Sequence, residues 1–234
     1  LPFAHYLAMT RGGWKNLIED PQVRWFIAIS ASVSLIITFQ LMAKIDLPLL
    51  EALRQASFNT VSLMTGTGYS STDYGAWGGH TSVILLIAMF IGGCAGSTTC
   101  GIKMFRLQVL AATAKVQLSR LLRPHAVSVV YYNRRPVPET VMDAVMGFFY
   151  LYILSFVVIS ILLGLTGLDL ETALSAAATS ISNVGPGLGE IIGPSGSFEP
   201  LSAQAKWIMV AAMILGRLEL FTVLVMLMPG FWRR

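Results

Sequence analysis

FNTVSLMTGTGYSS, residues 58–71, runs small apolar and hydroxyl side chains into Thr65-Gly66-Thr67-Gly68-Tyr69. Threonine, alternating glycine and an aromatic are the materials of a potassium selectivity filter, in which backbone carbonyls replace an ion's water shell. Glycine admits φ > 0, so successive carbonyls can face one axis. Threonine can add a hydroxyl at the inner end, and the aromatic can wedge the loop against its neighbours. A glycine-rich turn between two helices fits the same residues, so the surroundings must decide.

Those surroundings are membrane-like. Of 234 residues, 55% are hydrophobic and 12% charged, and the mean hydropathy is +0.68. Soluble domains carry roughly 25% charged residues. This composition indicates an integral membrane protein and argues against a soluble enzyme. The net charge of +4 is then a question of location, not a nucleic-acid signal. The two cysteines, Cys94 and Cys100, flank one glycine-rich stretch and form no metal or disulfide pattern. No basic n-region followed by an apolar h-region opens the chain at Leu1, and the reading expects a piece of something longer.

In order, residues 1–24 read as a membrane-surface lead-in with Arg11, Lys15, Glu19, Asp20 and Pro21. Residues 25–43 are apolar, about the 20 residues a helix needs to cross a bilayer. Residues 49–64 predict a helix too short and polar to span, carrying Glu51, Arg54, Gln55 and Asn59 into the TGTGY run. Non-helical backbone at membrane depth is tolerated only where it is buried in protein or lines a wet cavity. The helix would aim the negative end of its dipole at that run, favouring a cation. A second apolar stretch, 80–91, breaks at 92–101, and 102–122 resumes as a basic helix. Residues 123–140 are a basic, proline-bearing connection. The pattern then recurs: span 141–165, short helix 169–182, glycine loop 182–189 and a last span over 203–228. The chain divides into a lead-in (1–24), one repeat (25–122), a connection (123–140) and a second repeat (141–234).

Placing Gly68 on Gly185 aligns residues 63–68 with 180–185. Internal repeats with irregular segments at matching places point to a transport pathway. Most of the basic residues fall on one side: Arg11, Lys15 and Arg24, then Lys103, Arg106, Lys115, Arg120, Arg123, Arg134 and Arg135, then Arg233 and Arg234. The acidic Asp46, Glu51, Asp73, Asp169, Glu171, Glu190 and Glu199 fall on the other. The positive-inside rule makes the basic side cytoplasmic. Most of these residues need no role beyond setting topology.

Together, TGTGY (65–69), IGGCAGSTTCGIK (91–103), SNVGPGLG (182–189) and LGRLELF (215–221) resemble the Trk/Ktr/HKT superfamily of potassium transporters, closest to its bacterial TrkH/TrkG branch. The resemblance covers essentially the whole chain. It implies an all-α integral membrane fold with two of four M1–pore helix–M2 repeats, the third and fourth, of a pseudo-fourfold, potassium-channel-like pore. It implies that Thr65, Gly66, Thr67, Gly68 and Tyr69 form one filter segment and that Ser182, Asn183, Val184, Gly185 and Pro186 form another. Potassium would be held at Thr65, Gly66, Thr67, Ser182, Asn183 and Val184. Because the segments differ from one another, modest passage of sodium or rubidium is expected. The resemblance also implies an intramembrane gating loop with Gly92, Gly93, Gly96, Ser97, Thr98, Thr99, Gly101 and Lys103. Arg217 would face the pore beneath the filter. A homodimer, a cytosolic TrkA-like nucleotide-binding regulatory subunit, the bacterial inner membrane and no cofactor beyond the permeant ion complete the expectation.

The physics of the loop agrees, since glycines are poor helix formers and the hydroxyls of Ser97, Thr98 and Thr99 can satisfy freed backbone groups. Gly92 and Gly96 also make a GxxxG, the mark of a helix-packing face. A nucleotide P-loop is excluded because GSTTCGIK has isoleucine where lysine belongs. Lys103 could charge the pore or only snorkel. Arg217 inside a span is a functional hypothesis by default. Glu219, two residues on, faces another side and reads as an interhelical partner. Two other functions compete. An intramembrane hydrolase would need Ser97 or Ser70 beside His5, His80 or His125, and the chain has no GxSxG. A non-conducting membrane scaffold needs no chemistry at all.

Overall fold

The computed structural model describes residues 2–10, 13–123, 129–133, 135–218 and 220–232. Arg11, His125, Arg134, Glu219, Arg233 and Arg234 lie outside the described residues.

Two short helices, α1 (Phe3–Thr10) and α2 (Trp14–Glu19), precede the first span. That span, α3 (Pro21–Ile45), starts earlier than hydropathy alone suggests. Asp20 caps it by accepting from Gln22 N at 2.7 Å, and Pro21 occupies the first turn, where its missing N–H costs nothing. It ends at Asp46 in a left-handed conformation. The short helix α4 (Leu49–Thr65) folds back against α3. A 3-10 turn at Tyr74–Trp77 leads to α5 (Gly79–Phe90). After the break comes α6 (Met104–Leu122).

The basic connection is not plain coil. Strands β1 (Tyr131–Tyr132) and β2 (Arg135–Pro136) form a small antiparallel hairpin, Tyr131 opposite Pro136 and Tyr132 opposite Arg135. The second repeat follows as span α7 (Glu139–Leu165), short helix α8 (Leu170–Ser182), one turn α9 (Gly189–Ile192), then α10 (Ala203–Arg217) and α11 (Leu220–Leu227).

The expected single span over 203–228 is corrected here. The axis turns by 109° between α10 and α11, so the second M2-like element is broken, as the first is. Among the described residues, α3 and α7 are long and apolar enough to cross a membrane, and the bent pair is a third span if counted as one.

Small residues set the packing. α8 is buried from Thr172 to Ser182 save for Leu174, and its alanines let α7 and α10 approach closely. Gly216 of α10 takes this furthest, since a Cβ there would overlap the Ile181 carbonyl. One apolar cluster joins α3, α4 and α5 with Ala178, Val184 and Leu188, so the repeats share a core beside their glycine loops.

Candidate ion pathway

The two short helices end alike. In α4, Gly66 N donates to Leu63 O at 3.2 Å and Thr67 N to Ser62 O at 3.0 Å, with Gly66 at φ +67°. In α8, Asn183 N donates to Ser180 O at 3.3 Å and Val184 N to Thr179 O at 3.0 Å, with Asn183 at φ +52°. Each is a Schellman cap, with a left-handed residue absorbing the turn. The caps occur at the positions the sequence alignment matched, and Gly68 (φ +76°) and Gly185 (φ +115°) follow two residues later. Thr67 and Val184, between the left-handed residues, keep negative φ. That alternation turns successive carbonyls to one side.

The loops touch. A Cβ on Gly68 would strike Val184 O and lie 3.1 Å from Pro186 Cδ, and one on Gly66 would lie 3.6 Å from Asn183 O. Among the described residues, no donor meets the carbonyls of Thr65, Gly66, Thr67, Gly68, Ser182, Asn183, Val184 or Gly185. Only Ser182 and Val184 among these residues are buried, and Thr67 and Gly185 are exposed, so the eight oxygens lie on adjoining loops that this chain leaves partly open. The C-terminal ends of both helix dipoles add negative potential there.

Side chains brace the loops from behind. Asn59, buried in α4, accepts from Ser71 N at 3.1 Å, and Ser62 Oγ donates to Tyr69 O at 2.6 Å. In the second repeat, Gly185 N donates to Thr179 Oγ1 at 3.0 Å and Ser175 Oγ to Leu188 O at 3.1 Å. Asn183 Nδ2 donates to Met213 O at 3.1 Å, and Ser182 Oγ lies 2.8 Å from the Tyr152 hydroxyl. The Thr65 hydroxyl turns back to Val61 O at 2.7 Å and also meets Thr67 Oγ1 at 2.7 Å. Tyr69 is 73% exposed in this chain, and its carbonyl accepts from Ser62 Oγ.

Asp73, Asp169, Glu171 and Glu190 line a depression of about 490 Å³. Asp169 caps α8 by accepting from Thr172 N at 3.1 Å, and the Thr172 side chain together with this bond holds its carboxyl below the usual range. A carboxyl lowered on folding contributes stability above its unfolded pKa and loses it as pH falls through the folded value. Asp169→Ala is therefore expected to destabilise the second repeat by about 1 kcal/mol at neutral pH. The difference from wild type should vanish in strong acid, as read by thermal unfolding in detergent across pH.

Residues 91–103 interrupt the first M2-like element without a helical turn. The root is closed by Gly92 N to Ile102 O and Ile102 N to Phe90 O, both 2.9 Å. A Cβ on Gly92 would overlap Cys100 O, and one on Gly93 would lie 2.5 Å from Thr99 Oγ1. The glycines thus serve a folded loop, not the GxxxG helix face. Gly96 and Gly101 take φ +77° and +78°. Thr99 Oγ1 accepts from Gly93 N at 3.0 Å and pairs with Ser97 Oγ at 2.7 Å. Arg217, at the break of the other M2-like element, donates to Thr98 O at 3.2 Å and lies 3.5 Å from Cys100 Sγ. Lys103 is the N-cap residue of α6 and, with Arg217, lines a cavity of about 270 Å³.

The lead-in reaches this loop, which hydropathy could not show. Ala95 N donates to Gln22 Oε1 at 2.8 Å and Phe3 N to Gly96 O at 3.3 Å, while His5 Nε2 sits 2.7 Å from Asp20 Oδ2. Burial and the charge of Asp20 raise the pKa of Tyr132. Among the described residues no hydrogen bond joins Ser97 or Ser70 to a histidine, and His5 is engaged by Asp20.

The TrkH family, described as cation transport proteins, matches residues 11–232. Over 234 residues the chain is 42% identical to the Trk system potassium uptake protein TrkI of Halomonas elongata, covering 100% of this chain and 47% of that protein. It is 40% identical over 234 residues to the Trk system potassium uptake protein TrkH of Vibrio parahaemolyticus, covering 98% and 47%. The crystal structure of the potassium transporter TrkH from Vibrio parahaemolyticus superposes with a TM-score of 0.91 at 38% identity, over 100% of this chain and 50% of that one. The chain thus spans about half the length of the relatives it matches. Its apolar helices are those of a multi-pass membrane protein. With fold, repeats and sequence in agreement, the chain belongs to the TrkH family of cation transport proteins, which are transporters and not enzymes.

Proposed function

We propose that this chain supplies the third and fourth repeats of a pore for potassium uptake across a bacterial inner membrane. The observation that carries the proposal is the pair of adjoining, equivalently capped glycine loops with unengaged carbonyls. Thr65–Gly68 and residues 182–185 offer main-chain oxygens to a dehydrated potassium ion, and Tyr69 and Pro186 shape the edges of the filter. The acidic outer depression gathers cations, and the two helix C-termini stabilise one at the filter. No cofactor takes part; potassium is cargo. The whole transporter is a homodimer served by a cytosolic TrkA-like nucleotide-binding subunit on the basic face. Expression of the complete protein in a cell lacking its own potassium uptake tests this. Restored growth at low potassium is expected, and its absence with the protein present in the membrane leaves the scaffold reading.

Residues 92–101 act as the gate. They are strapped from two sides, by Arg217 at Thr98 and by Gln22 at Ala95. Gln22→Leu removes one strap and is expected to raise potassium leak about two- to tenfold, the scale of one net hydrogen bond. Gln22→Glu keeps an acceptor and should stay near wild type. Potassium efflux from loaded cells checks both.

A further inference from the structure

Tyr152 stands in the middle of span α7, yet it touches both parts of the proposed ion pathway. Its hydroxyl and Ser182 Oγ are 2.8 Å apart, and both residues are buried. Its ring meets Phe90 edge-on at a centroid distance of 6.0 Å. Phe90 ends α5, and its carbonyl accepts from Ile102 N to close the root of the intramembrane loop. The opposite neighbour is Phe148, with centroids 5.6 Å apart, and Arg106 stacks on that ring at 3.7 Å.

Ring and hydroxyl therefore have separable tasks. The ring fills apolar space that phenylalanine would fill equally well. The hydroxyl has one hydrogen-bond partner among the described residues, Ser182. A buried hydroxyl without a partner is costly, so Tyr152 and Ser182 hold each other in place. Ser182 is the last residue of α8, directly before left-handed Asn183. Fixing the Ser182 side chain fixes the peptide plane from which the second filter segment starts. Selectivity between two monovalent ions depends on how far those oxygens can relax toward the smaller one.

We infer that Tyr152 is a positioning residue for ion selection, whose hydroxyl anchors Ser182 so that the second segment cannot close around sodium. The inference rests on the filter reading of residues 182–185. The test measures potassium and sodium uptake separately in the complete protein carrying Tyr152→Phe. Preference for potassium is expected to fall about two- to tenfold, the scale of one net hydrogen bond, at wild-type amounts in the membrane. Ser182→Ala should give the same fall, and the double variant should add nothing, because both remove one bond. Unchanged preference in Tyr152→Phe overturns the inference. Should that variant fail to accumulate, Ser182→Ala decides alone, since it cuts the bond from the other end. Gly185→Ala separates the two levels. If it alters preference while Tyr152→Phe does not, the anchor is wrong and the filter stands; if neither does, the filter reading has failed.

Discussion

Gly68→Asp in the complete protein is expected to abolish potassium uptake while the protein still inserts. Gly68 sits at φ +76°, where any side chain costs roughly 1–2 kcal/mol. Its Cβ would also strike the Val184 carbonyl and crowd Pro186, adding about 1–3 kcal/mol of overpacking. Relief requires moving Val184, so damage in one segment spreads to the other. The new carboxylate would then lie among oxygens meant for a passing cation. Together these predict a fall on the order of a hundredfold or more. The measurement is potassium uptake in a transport-deficient cell, with membrane amounts determined in parallel. Gly185 provides the contrast. It needs φ +115°, but a Cβ there would meet only Gly68 Cα, at 3.9 Å. Gly185→Ala should therefore be milder than Gly68→Ala, and equal uptake by wild type and Gly68→Asp would remove residues 65–69 from the ion path.

Local chemistry made the ends of both short helices and their glycine loops readable from the residues alone. A short polar helix running into alternating glycines has few ways to end, and Gly66 and Asn183 are residue types that enter the left-handed region most easily. The repeat alignment then placed both caps in register. The break at residues 92–101 was visible for the same reason, because glycine density interrupts a helix wherever it occurs. The break after Arg217 was hidden. Residues 203–228 stay apolar through it, and its neighbourhood is shaped by tertiary contact, with Gly216 seated against the Ile181 carbonyl. Tyr152 was hidden as well. Hydropathy marks it as one more aromatic in a span, and a partner 30 residues away leaves no local trace. Gln22 escaped notice likewise, and Asn59 was noted only as a polar residue of its short helix; what could have marked their roles is an amide side chain beside an apolar run, facing a loop in need of hydrogen bonds.

Release of the intramembrane loop should have the opposite effect to blocking the filter. Arg217→Ala is expected to raise potassium leak about tenfold. A hydrogen bond to a charged group is worth about 1.5–3 kcal/mol. Arg217 is exposed in this chain, so solvent screening favours the lower end. Two mechanisms predict more flux: loss of the bond to Thr98 O, and loss of a positive charge beside the proposed ion path. Arg217→Lys separates them. It keeps the charge but has no planar fork to reach Thr98 O and Cys100 Sγ together. If the strap matters, Lys behaves like Ala; if the charge matters, Lys behaves like wild type. Shortening residues 92–99 removes the loop whatever holds it, and should leak more than either point variant. Efflux at low external potassium, compared across the series, reads all three. A shortened loop with wild-type efflux would mean that Gly92, Gly93 and Gly96 serve packing alone, and Arg217 would then be a charge satisfied by a neighbouring carbonyl with no part in gating.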